Sequence, residues 1–410
     1  METLPIIYLS YMFVSIYFLT LFLLLYFRNK DDLFKYPEPT HFPTVSFVVP
    51  AYNEGESIEQ TIHEIFEVDY PNIAEVVVVN DASTDNTREI LDRLKKKYKK
   101  LVVIHNEVNT GNAAGSQNIG LKYVTSEFVV VVDGDSYPSK DSIKKMIGFL
   151  EDPVVGAVTC FFIPRERKTF FERLQTIEYH VIAFTRKLLG YVDCIYVTPG
   201  PLALYRKSAL DKIGGFDEKN LTQDIEATWA LAYHGFTRRM CLDAHATTNV
   251  PKKIIPWYKQ RRRWNIGGLQ CISKYKGSFF RRGMLGFFIW PFFVLQLFLG
   301  LLGLSIFVYL MSTRIISNYL FMKYSIPVGT PLITMNDFFV TPSFLNYLGV
   351  IMFVLGVSFT ILILYIMKSE VLKKQNIFNM LMYFLIYLAV YPFIMISALY
   401  YYFKGGTKWR

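Results

Sequence analysis

The feature that most constrains the fold of this chain is the placement of its long apolar runs. The first, Ile6 to Phe27, has 22 residues and no charged side chain. Three more lie in the last third of the chain: Leu285 to Leu310, Tyr347 to Ile366 and Ile377 to Phe403. Because about 20 apolar residues suffice for a helix to cross a bilayer, we predict a transmembrane helix in residues 1–27 and a transmembrane region in residues 281–410. The polar segment between them, residues 28–280, is predicted to be a separate domain.

The charges around these runs indicate their orientation. The first run is too long for the apolar part of a signal peptide, and it has neither a preceding basic segment nor a clear cleavage site. Arg28 and Lys30 follow it directly, and such residues favour the cytosolic side. Residues 28–280 are therefore expected to be cytosolic, in a protein integral to the plasma membrane. By the same rule, the basic segment Lys368 to Gln375 should be cytosolic and the charge-poor segment Met311 to Asn346 should be an external loop.

The basic C-terminal tail, Lys404 to Arg410, does not fit this topology. Three C-terminal crossings would leave the tail outside the cell, against the positive-inside rule. Either one apolar run is re-entrant or interfacial, or the tail is an exception to the rule. The sequence leaves both alternatives open.

The formal net charge of +10, from 44 basic and 34 acidic side chains, does not indicate nucleic-acid binding. Many of the basic residues lie beside apolar runs: Arg28, Lys30, Arg261 to Arg263, Arg281, Arg282, Lys373 and Lys374. A basic surface that faces anionic lipid or a diphosphate explains this placement, so a lipid bilayer is an expected partner and nucleic acid is not. The four cysteines are widely spaced and form no metal-binding pattern, as is typical of reduced thiols in a cytosolic domain.

Residues 28–280 contain an alternation of strand-like and helix-like segments. Short β-branched apolar runs predict strands at Val45 to Val49, Val76 to Val79, Leu101 to Ile104 and Phe128 to Val132. Amphipathic stretches such as Thr87 to Lys99 separate them and predict helices. This pattern predicts an α/β fold with a mostly parallel sheet, in which ligands bind at the carboxyl ends of the strands.

Three of the predicted strands lead into polar motifs at that edge. The motifs are Pro50-Ala51-Tyr52-Asn53-Glu54, Asn80-Asp81-Ala82-Ser83-Thr84-Asp85 and Asp133-Gly134-Asp135. Carboxylates at i and i+2 after a strand can share one cation, and Mg²⁺ commonly bridges one or two carboxylates to phosphate oxygens. Asp133 and Asp135 are therefore candidate metal ligands, although such a triplet in isolation is more often a solvated turn. The absence of G-x-G-x-x-G after the first strand and of G-x-x-x-x-G-K-[ST] anywhere argues against a dinucleotide enzyme or a P-loop ATPase.

Three further motifs lie in the second half of this domain. Thr198 to Pro201 (T-P-G-P) lets a backbone approach a ligand closely, or forms a plain turn. Thr222 to Asp224 (T-Q-D) precedes a helical run, and its first or last residue also suits a helix N-cap. Gln260 to Trp264 (Q-R-R-R-W) combines guanidinium groups, which bind phosphate, with an indole, which suits a sugar ring. The alternative is a juxtamembrane cluster that binds lipid headgroups, which would be the only role of Arg261 and Arg262.

In this order, the motifs resemble those of the family 2 glycosyltransferases of the GT-A fold. They are similar in particular to the membrane-integrated synthases of hyaluronan, chitin, cellulose and poly-N-acetylglucosamine. The resemblance covers about residues 43–270 and rests on P-x-Y-N-E, N-D-x-S-x-D, D-x-D, G-P-L-x-x-Y-R (Gly200 to Arg206), T-E-D (here T-Q-D) and Q-x-x-R-W. It implies a cytosolic, Rossmann-like GT-A domain with a mostly parallel sheet, joined to a helical transmembrane region.

The resemblance also implies how a donor would be held. Tyr52, Glu54 and Asp81 would hold the uridine of a UDP-sugar. Asp133 and Asp135 would hold the diphosphate together with Mg²⁺ or Mn²⁺.

On the acceptor side, the resemblance implies that Asp224 is the general base. Gln260, Arg263 and Trp264 would bind the diphosphate and the acceptor end, and Gly200 to Pro201 would line the acceptor site. Direct displacement on an α-linked UDP-sugar would then invert the anomeric carbon and give a β-linkage.

Two positions depart from the family pattern. The family usually has a lysine in a G-K-A element, where this chain has Gly111-Asn112-Ala113. A cationic contact to the nucleotide is therefore either missing or supplied by another side chain. The middle residue of T-E-D is Gln223, which removes one charge beside the base but keeps the base itself.

A helical stripe is predicted before the second group of motifs, at Phe170, Leu174, Ile177, Val181, Phe184 and Leu188. The stripe is either part of the core or the apolar face of a helix that lies on the bilayer, and the resemblance favours the second interpretation. Pro251 to Gly268 is predicted to be a similar helix that carries Gln260 to Trp264 beneath the membrane.

Three function classes follow from the sequence. The first is a synthase that extends a β-linked polysaccharide and translocates it across the membrane. The second is a transferase that adds one sugar to a lipid acceptor, such as a ceramide or a polyprenyl phosphate. The third, a transporter or receptor that only binds a nucleotide sugar, is disfavoured by Asp224 and the full motif set. The first is favoured because three apolar C-terminal runs and a basic stripe exceed what a single lipid acceptor requires.

Overall fold

The computed structural model describes residues 3–328, 344–368 and 377–405. An eight-stranded sheet forms the domain that follows the first apolar helix. Its strands are β1 (Val45–Ala51), β2 (Ile73–Asp81), β3 (Leu101–Asn106), β4 (Phe128–Val131), β5 (Ser136–Pro138), β6 (Val155–Pro164), β7 (Ala203–Arg206) and β8 (Thr237–Thr248). The α-helices are α1 (Thr3–Asn29), α2 (Ile58–Phe66), α3 (Thr87–Lys97), α4 (Ala113–Leu121), α5 (Ser142–Ile147), α6 (Phe170–Gly190), α7 (Lys207–Ile213), α8 (Gln223–Tyr233), α9 (Ile254–Lys274), α10 (Trp290–Val328), α11 (Phe344–Ile366), α12 (Ile377–Met382) and α13 (Tyr391–Phe403).

The sheet has the strand order β3-β2-β1-β4-β7-β6-β8-β5. Strand β1 is parallel to β2 and β4, and β2 is parallel to β3. Strand β7 is antiparallel to β4 and β6, β5 is antiparallel to β8, and β6 is parallel to β8. Four of the seven strand pairings are therefore parallel, and the predicted α/β GT-A fold is confirmed.

Valine-rich segments form the centre of this sheet. Val48, Val77 and Val130 have no exposed surface, because a parallel sheet is covered by helices on both faces. β-branched side chains also suit the pleated, buried backbone of such strands. All four strands predicted from the sequence form for this reason.

The carboxyl ends of β1, β2 and β4 meet at one edge of the sheet. The backbone just beyond β1 and β2 is left-handed, with φ of 56° at Asn53 and 55° at Ala82. Such angles are uncommon for residues other than glycine and persist where the surrounding structure over-determines them, often at ligand sites.

The four cysteines are buried and form no disulfide. Burial raises the pKa of Cys194 to about 12 and that of Cys241 to about 11. Both thiols therefore stay protonated at neutral pH, as expected of structural cysteines.

Four described helical segments are long and apolar enough to cross a membrane: Pro5–Asp32, Leu285–Tyr324, Tyr347–Ile366 and Phe378–Phe403. They coincide with the four apolar runs of the sequence. The last of them is interrupted by a π-helical segment at Tyr383–Tyr387, between α12 and α13. Such segments break the regular hydrogen-bond ladder and are frequent at functional sites.

The prediction of an external loop after the second apolar run is wrong in its first part, because α10 continues to Val328. Residues 305–324 contain neither proline nor glycine and only two charged side chains, Arg314 and Lys323, so nothing in them ends the helix. At about 1.5 Å per residue, α10 is roughly 58 Å long, more than a bilayer core requires. Three parts of the predicted topology lie outside the described residues: most of the remaining external loop (329–343), most of the predicted cytosolic loop (369–375) and the end of the tail (406–410).

Helix α6 joins the sheet to the apolar helices. It begins with a capping box, in which Thr169 Oγ1 accepts from the backbone N–H of Glu172 and Glu172 accepts from that of Thr169. Phe184 and Leu188 are fully buried against residues of α1, β8 and α11. Most of the predicted stripe therefore packs within the protein, because α1 and α11 cover Phe184 and Leu188, whereas Phe170 at its start is 40% exposed.

Candidate active site

A cavity of about 800 Å³ lies at the carboxyl edge of β1, β2 and β4. Helix α9 and the start of α8 close its other side. All the site residues predicted from the sequence line this cavity: Tyr52, Glu54, Asp81, Asp133, Asp135, Gly200, Pro201, Asp224, Gln260, Arg263 and Trp264. The fold thus brings together groups that lie as much as 212 positions apart in the sequence.

The loops after β1 and β2 lock each other in place. The backbone N–H of Asn53 donates to Ser83 Oγ at 2.9 Å, and the backbone N–H of Thr84 donates to Asn53 Oδ1 at 2.8 Å. Ser57 Oγ donates to Glu54 Oε2 at 2.7 Å. These contacts hold the left-handed backbone and give the predicted nucleotide side of the cavity a fixed shape.

Asp81 is buried and supports the loop after β3. Its carboxylate accepts from Asn106 Nδ2 at 2.7 Å, from the backbone N–H of Thr110 at 3.0 Å and from Thr110 Oγ1 at 2.7 Å. Much of its capacity as an acceptor is therefore used within the protein. Contact between Asp81 and uridine stays a prediction, and the observed role of this residue is to position the loop that leads to Asn112.

Asn112, at the position where the family that the motifs resemble usually has lysine, is the N-cap of α4. Its Oδ1 accepts from the backbone N–H of Gly115 at 3.0 Å, and its Nδ2 donates to the backbone carbonyl of Glu218. Among the described residues that line the cavity, Arg263 is the only lysine or arginine. The lost lysine is therefore not replaced by another cation there, and the cavity is rich in carboxylates.

Asp133 lies directly against Gly200. The backbone N–H of Asp133 donates to the carbonyl of Gly200 at 3.1 Å. A Cβ on Gly200 would lie 2.5 Å from both carboxylate oxygens of Asp133. Glycine is therefore required here for close packing against the carboxylate, in addition to any contact that it makes with an acceptor.

Burial and mutual repulsion perturb the acidic pair. Burial raises the pKa of Asp133 to about 8, the charges of Asp135 and Asp224 add to this shift, and Arg263 opposes it. Burial also raises the pKa of Asp135, against hydrogen bonds from Ser136 and Thr248. Partly buried carboxylates that repel each other favour a bound cation, because a cation removes the cost of ionising both.

The pair fits a divalent cation that also binds a diphosphate. The described residues contain no group of three or more His, Cys, Asp or Glu side chains that suits a metal. Mg²⁺ keeps few protein ligands and takes one or two carboxylates together with phosphate oxygens. Two aspartates beside an open cavity match that donor set, so the residues present fit the implied metal.

Asp224 lies in the first turn of α8 and faces the same cavity. Its Oδ1 accepts from the backbone N–H of Ile225 at 2.9 Å. Burial raises its pKa, while that hydrogen bond and the charge of Arg263 lower it. Thr222 is the N-cap residue of this helix, but its side chain does not bond the helix and instead contacts Asn220. Asp224 therefore both supports the start of α8, through the bond from Ile225, and lines the cavity.

Gly267 on α9 was not singled out by the sequence, yet it brings α9 close to the T-Q-D motif. A Cβ at this position would collide with Thr222 Oγ1. A helix surface without a side chain lets two backbones approach closely. The signal in the sequence was the glycine three residues after Trp264, within a helix that otherwise disfavours it.

Arg261 contradicts the interpretation of this cluster as a lipid-headgroup site. Its side chain is fully buried and forms an ion pair with Glu178 of α6, in which Nε donates to Oε1 at 3.2 Å and Nη2 donates to Oε2. Burial acts against the charge, but Glu178 outweighs it and holds the pKa of Arg261 well above its ordinary value. A buried pair of this kind needs further hydrogen bonds to be tolerated.

Two tyrosines of the last apolar segment provide those bonds, one from the π-helical segment Tyr383–Tyr387 and one from the start of α13. The hydroxyl of Tyr387 donates to Glu178 Oε2 at 2.7 Å, and the hydroxyl of Tyr391 donates to Oε1. The indole N–H of Trp257 donates to the Tyr387 hydroxyl at 2.6 Å. The network therefore links α6, α9 and the segment that begins α13.

The same arginine orients the Q-x-x-R-W motif. Nη1 of Arg261 donates to Gln260 Oε1 at 2.5 Å, and its guanidinium carbon lies 4.0 Å from the centre of the Trp264 ring. Gln260 and Trp264 both line the cavity. Arg261 is thus a positioning residue that the motif pattern, which leaves this position unspecified, does not reveal.

We expect Arg261→Met to destabilise the protein by about 3–5 kcal/mol, because it leaves the Glu178 carboxylate buried without its partner. The double variant Arg261→Met, Glu178→Leu should recover much of that stability, yet its turnover should stay low because Gln260 and Trp264 lose their support. Thermal unfolding and UDP release measure the two effects. The matched control is Arg262→Met, whose guanidinium instead covers the exposed Tyr401 ring at 4.1 Å. Normal turnover in the double variant would contradict the positioning role.

The chain is similar in sequence and in fold to known proteins. Residues 46–214 match the sequence profile of glycosyl transferase family 2. The chain is 30% identical over 290 residues to a poly-beta-1,6-N-acetyl-D-glucosamine synthase of Staphylococcus epidermidis, over 69% of this chain and 69% of that protein. The protein of that name in Staphylococcus aureus (strain COL) is 28% identical over 268 residues, 64% of each chain.

A solved structure is also similar. It is the mannosyltransferase PcManGT from Pyrobaculum calidifontis in complex with GDP-Man and Mn²⁺, with 26% identity and a TM-score of 0.53. The match covers 71% of this chain and 85% of that one. The motif order, the sheet and a 30% identity over more than two thirds of a relative point to the same conclusion. The chain belongs to glycosyl transferase family 2, and it is a glycosyltransferase that resembles the poly-N-acetylglucosamine synthases.

Proposed function

We propose that this protein is an inverting, processive synthase that uses UDP-N-acetylglucosamine to extend a β-linked polysaccharide. The observation that carries the proposal is the cavity in which Asp224, the pair of Asp133 and Asp135, and Trp264 face one space. The similarity to poly-beta-1,6-N-acetyl-D-glucosamine synthases supports the sugar and the polymeric product. The structure of PcManGT contains GDP-Man, so GDP-mannose is the alternative donor that a test must include.

The chemistry requires a base beside the acceptor. A sugar hydroxyl is a poor nucleophile until a positioned group accepts its proton. Asp224 is the carboxylate proposed for this, because it lines the same cavity as Asp133, Asp135 and Trp264. A pKa raised by burial makes it a stronger base toward the hydroxyl. Attack on the anomeric carbon from the side opposite the diphosphate inverts its configuration.

Arg263 and the acidic pair are proposed to act on the leaving diphosphate. Asp133 and Asp135 would hold Mg²⁺ or Mn²⁺, which when bound stabilises the negative charge of the leaving UDP. Arg263 adds a guanidinium to the same cavity, suited to phosphate oxygens. Tyr52, Glu54 and Asp81 line the side where the nucleotide is expected.

The membrane helices are proposed to take the product outward. Helix α13 packs along α9, where Tyr391 contacts Arg261 and Tyr401 contacts Arg262. The acceptor motif therefore lies directly beside a helix of the apolar region. We infer that the protein is integral to the plasma membrane and that its sheet domain is cytosolic. The growing polymer would then leave between the apolar helices.

Purified protein with Mn²⁺ or Mg²⁺ and a panel of nucleotide sugars tests the proposal by release of the nucleotide. UDP-N-acetylglucosamine should give UDP and a long product, and in sealed vesicles that product should appear on the side opposite the donor. GDP-mannose should give little release. A single-sugar lipid as the only product, unchanged at higher donor concentration, would reject the synthase and leave the lipid transferase.

Trp264→Ala should lower polymer yield about tenfold or more while UDP binding changes less than about twofold, because the indole offers a stacking face to the acceptor sugar. Arg263→Ala should lower both the polymer yield and the affinity for UDP, because the guanidinium of Arg263 is proposed to act on the diphosphate. Product length on gels and UDP affinity by calorimetry separate the two. Equal losses of UDP binding and polymer in Trp264→Ala would count against an acceptor role for the indole.

A further inference from the structure

The segment that leads to the proposed base, residues 216–222, is held between two helices that both line the cavity. It lies between α7 and α8, and its last two residues, Leu221 and Thr222, line the cavity directly before Gln223 and Asp224. Helix α4, on the side where the nucleotide is expected, and helix α9, which carries the acceptor motif, both bond to this segment. The position of Asp224 therefore depends on how the two helices hold it.

Helix α9 holds the end of the segment that is nearer to the base. Gln270 Oε1 accepts from the backbone N–H of Leu221 at 2.9 Å, and Gln270 Nε2 donates to the carbonyl of Lys219 at 3.2 Å. Within the segment, Asn220 Oδ1 accepts from the backbone N–H of Thr222 at 2.8 Å. These bonds fix the segment to the acceptor side of the cavity.

Two asparagines at α4 hold the other end. Asn118 Oδ1 accepts from the backbone N–H of Phe216 at 2.8 Å, and Asn118 Nδ2 donates to the carbonyl of Phe216 and to Glu218 Oε1, both at 2.8 Å. Asn112 Nδ2 donates to the backbone carbonyl of Glu218, while Asn112 Oδ1 accepts from the N–H of Gly115 at 3.0 Å. Asn112 thus uses one side chain to cap α4 and to bond the segment.

We propose that Asn112 is a positioning residue for Asp224: together with Asn118, it holds the 216–222 segment to α4 and so fixes the base relative to the donor. A carboxamide has an acceptor oxygen and a donor nitrogen, whereas the lysine usual in the family has only donors and could not also cap the helix. The departure from the family pattern therefore exchanges a charge for a contact with two partners. This inference rests on the proposed function, because it takes Asp224 as the base.

Asn112→Ser is the variant that separates the two contacts. Its hydroxyl can still cap α4, but it has no amide to reach the Glu218 carbonyl. With UDP-N-acetylglucosamine, we expect kcat to fall about tenfold, because a small misplacement of a reacting group lowers the rate strongly. The KM for the donor and the affinity for UDP should change less than about twofold.

Asn118→Ala should give the same pattern. Asn118 does not line the cavity, so a loss of kcat in this variant cannot come from a lost contact with the donor. The matched control is Asn86→Ser, at the N-cap of α3, where the asparagine makes no side-chain cap bond and does not line the cavity. This control should keep its kcat and its UDP affinity.

A double-mutant cycle tests whether Asn112 acts through Asp224. In the Asp224→Asn background, Asn112→Ser should lower kcat by less than about twofold further, because the group that it positions is already disabled. Losses that multiply would mean that Asn112 acts independently of the base and would overturn the inference. A fall in UDP affinity as large as the fall in kcat would also overturn it, because Asn112 would then be a nucleotide contact.

Hydrogen–deuterium exchange of residues 216–224 gives a second readout that needs no turnover. Asn112→Ser and Asn118→Ala should speed exchange in this segment about tenfold or more, while α4 keeps its protection. Unchanged exchange there would contradict the positioning role. Failure of the wild type to release UDP from UDP-N-acetylglucosamine would instead reject the proposed function, so the two failures are distinguishable.

Discussion

Asp224→Asn is expected to lower turnover by about 10² or more while the protein still folds and binds UDP. The amide keeps the size of the side chain and an oxygen that can accept from Ile225 N–H, but it cannot take a proton from the acceptor hydroxyl. The loss should appear in kcat and not in the KM for the donor, because the base acts only in the transition state. Steady-state UDP release and calorimetry with UDP measure the two quantities.

The matched control is Glu226→Gln, the same change two residues later in α8. Glu226 is buried, but it accepts from Lys274 Nζ and the Tyr275 hydroxyl, both at 2.6 Å, and does not line the cavity. This variant should lose stability and keep its turnover per folded molecule. If Asp224→Asn loses UDP binding or expression in parallel with activity, Asp224 supports the start of α8 and is not the base.

Asp133→Asn and Asp135→Asn should each nearly abolish turnover, and EDTA should do the same to the wild type. Each substitution removes one of two carboxylates that are proposed to hold the cation and thereby the leaving diphosphate. Asp141→Asn is the control, since its carboxylate pairs with Lys145 outside the cavity. Full activity in EDTA, or restoration by salt alone, would rule out the metal role.

The raised pKa of Asp133 adds a pH dependence to this prediction. The folded-state pKa of about 8 lies above the ordinary value of 3.8, so Asp133 holds a proton between these values when no cation is bound. A cation must displace that proton, so Mn²⁺ affinity should rise with pH by up to about tenfold per unit and level off above about pH 8. Titrations of Mn²⁺ between pH 6 and pH 9 measure it, and a flat response would contradict the protonated state.

Asp133 also makes the free energy of unfolding depend on pH. Between pH 3.8 and about 8, folded Asp133 binds more protons than the unfolded chain, so in EDTA this group makes the free energy of unfolding fall as pH rises through that window. Asp133→Asn should remove that contribution. Thermal unfolding in EDTA at several pH values tests the difference between the two proteins.

The amino-acid sequence by itself determined where the candidate site residues would meet. Asp133 and Asp135 are fixed to each other by local spacing, and both follow a strand whose valine-rich pattern predicts its burial. Parallel strands present their carboxyl ends at one edge, so the polar loops after β1, β2 and β4 had to share a site. The apolar runs likewise determined which helices are long and apolar enough to cross a membrane, because that property depends on length and composition.

Tertiary structure alone decided which neighbour each buried side chain has. The partner of Arg261 is Glu178, 83 positions away, and no local pattern joins them. The stripe on α6 was visible as apolar, but whether lipid or protein covers it depends on where α1 and α11 pack. Arg186 is the clearest case, since its residue type predicts exposure and only the surrounding elements bury it. Periodicity in a sequence identifies which face of an element is apolar, whereas long-range packing determines which surface covers it and which polar groups are enclosed with it.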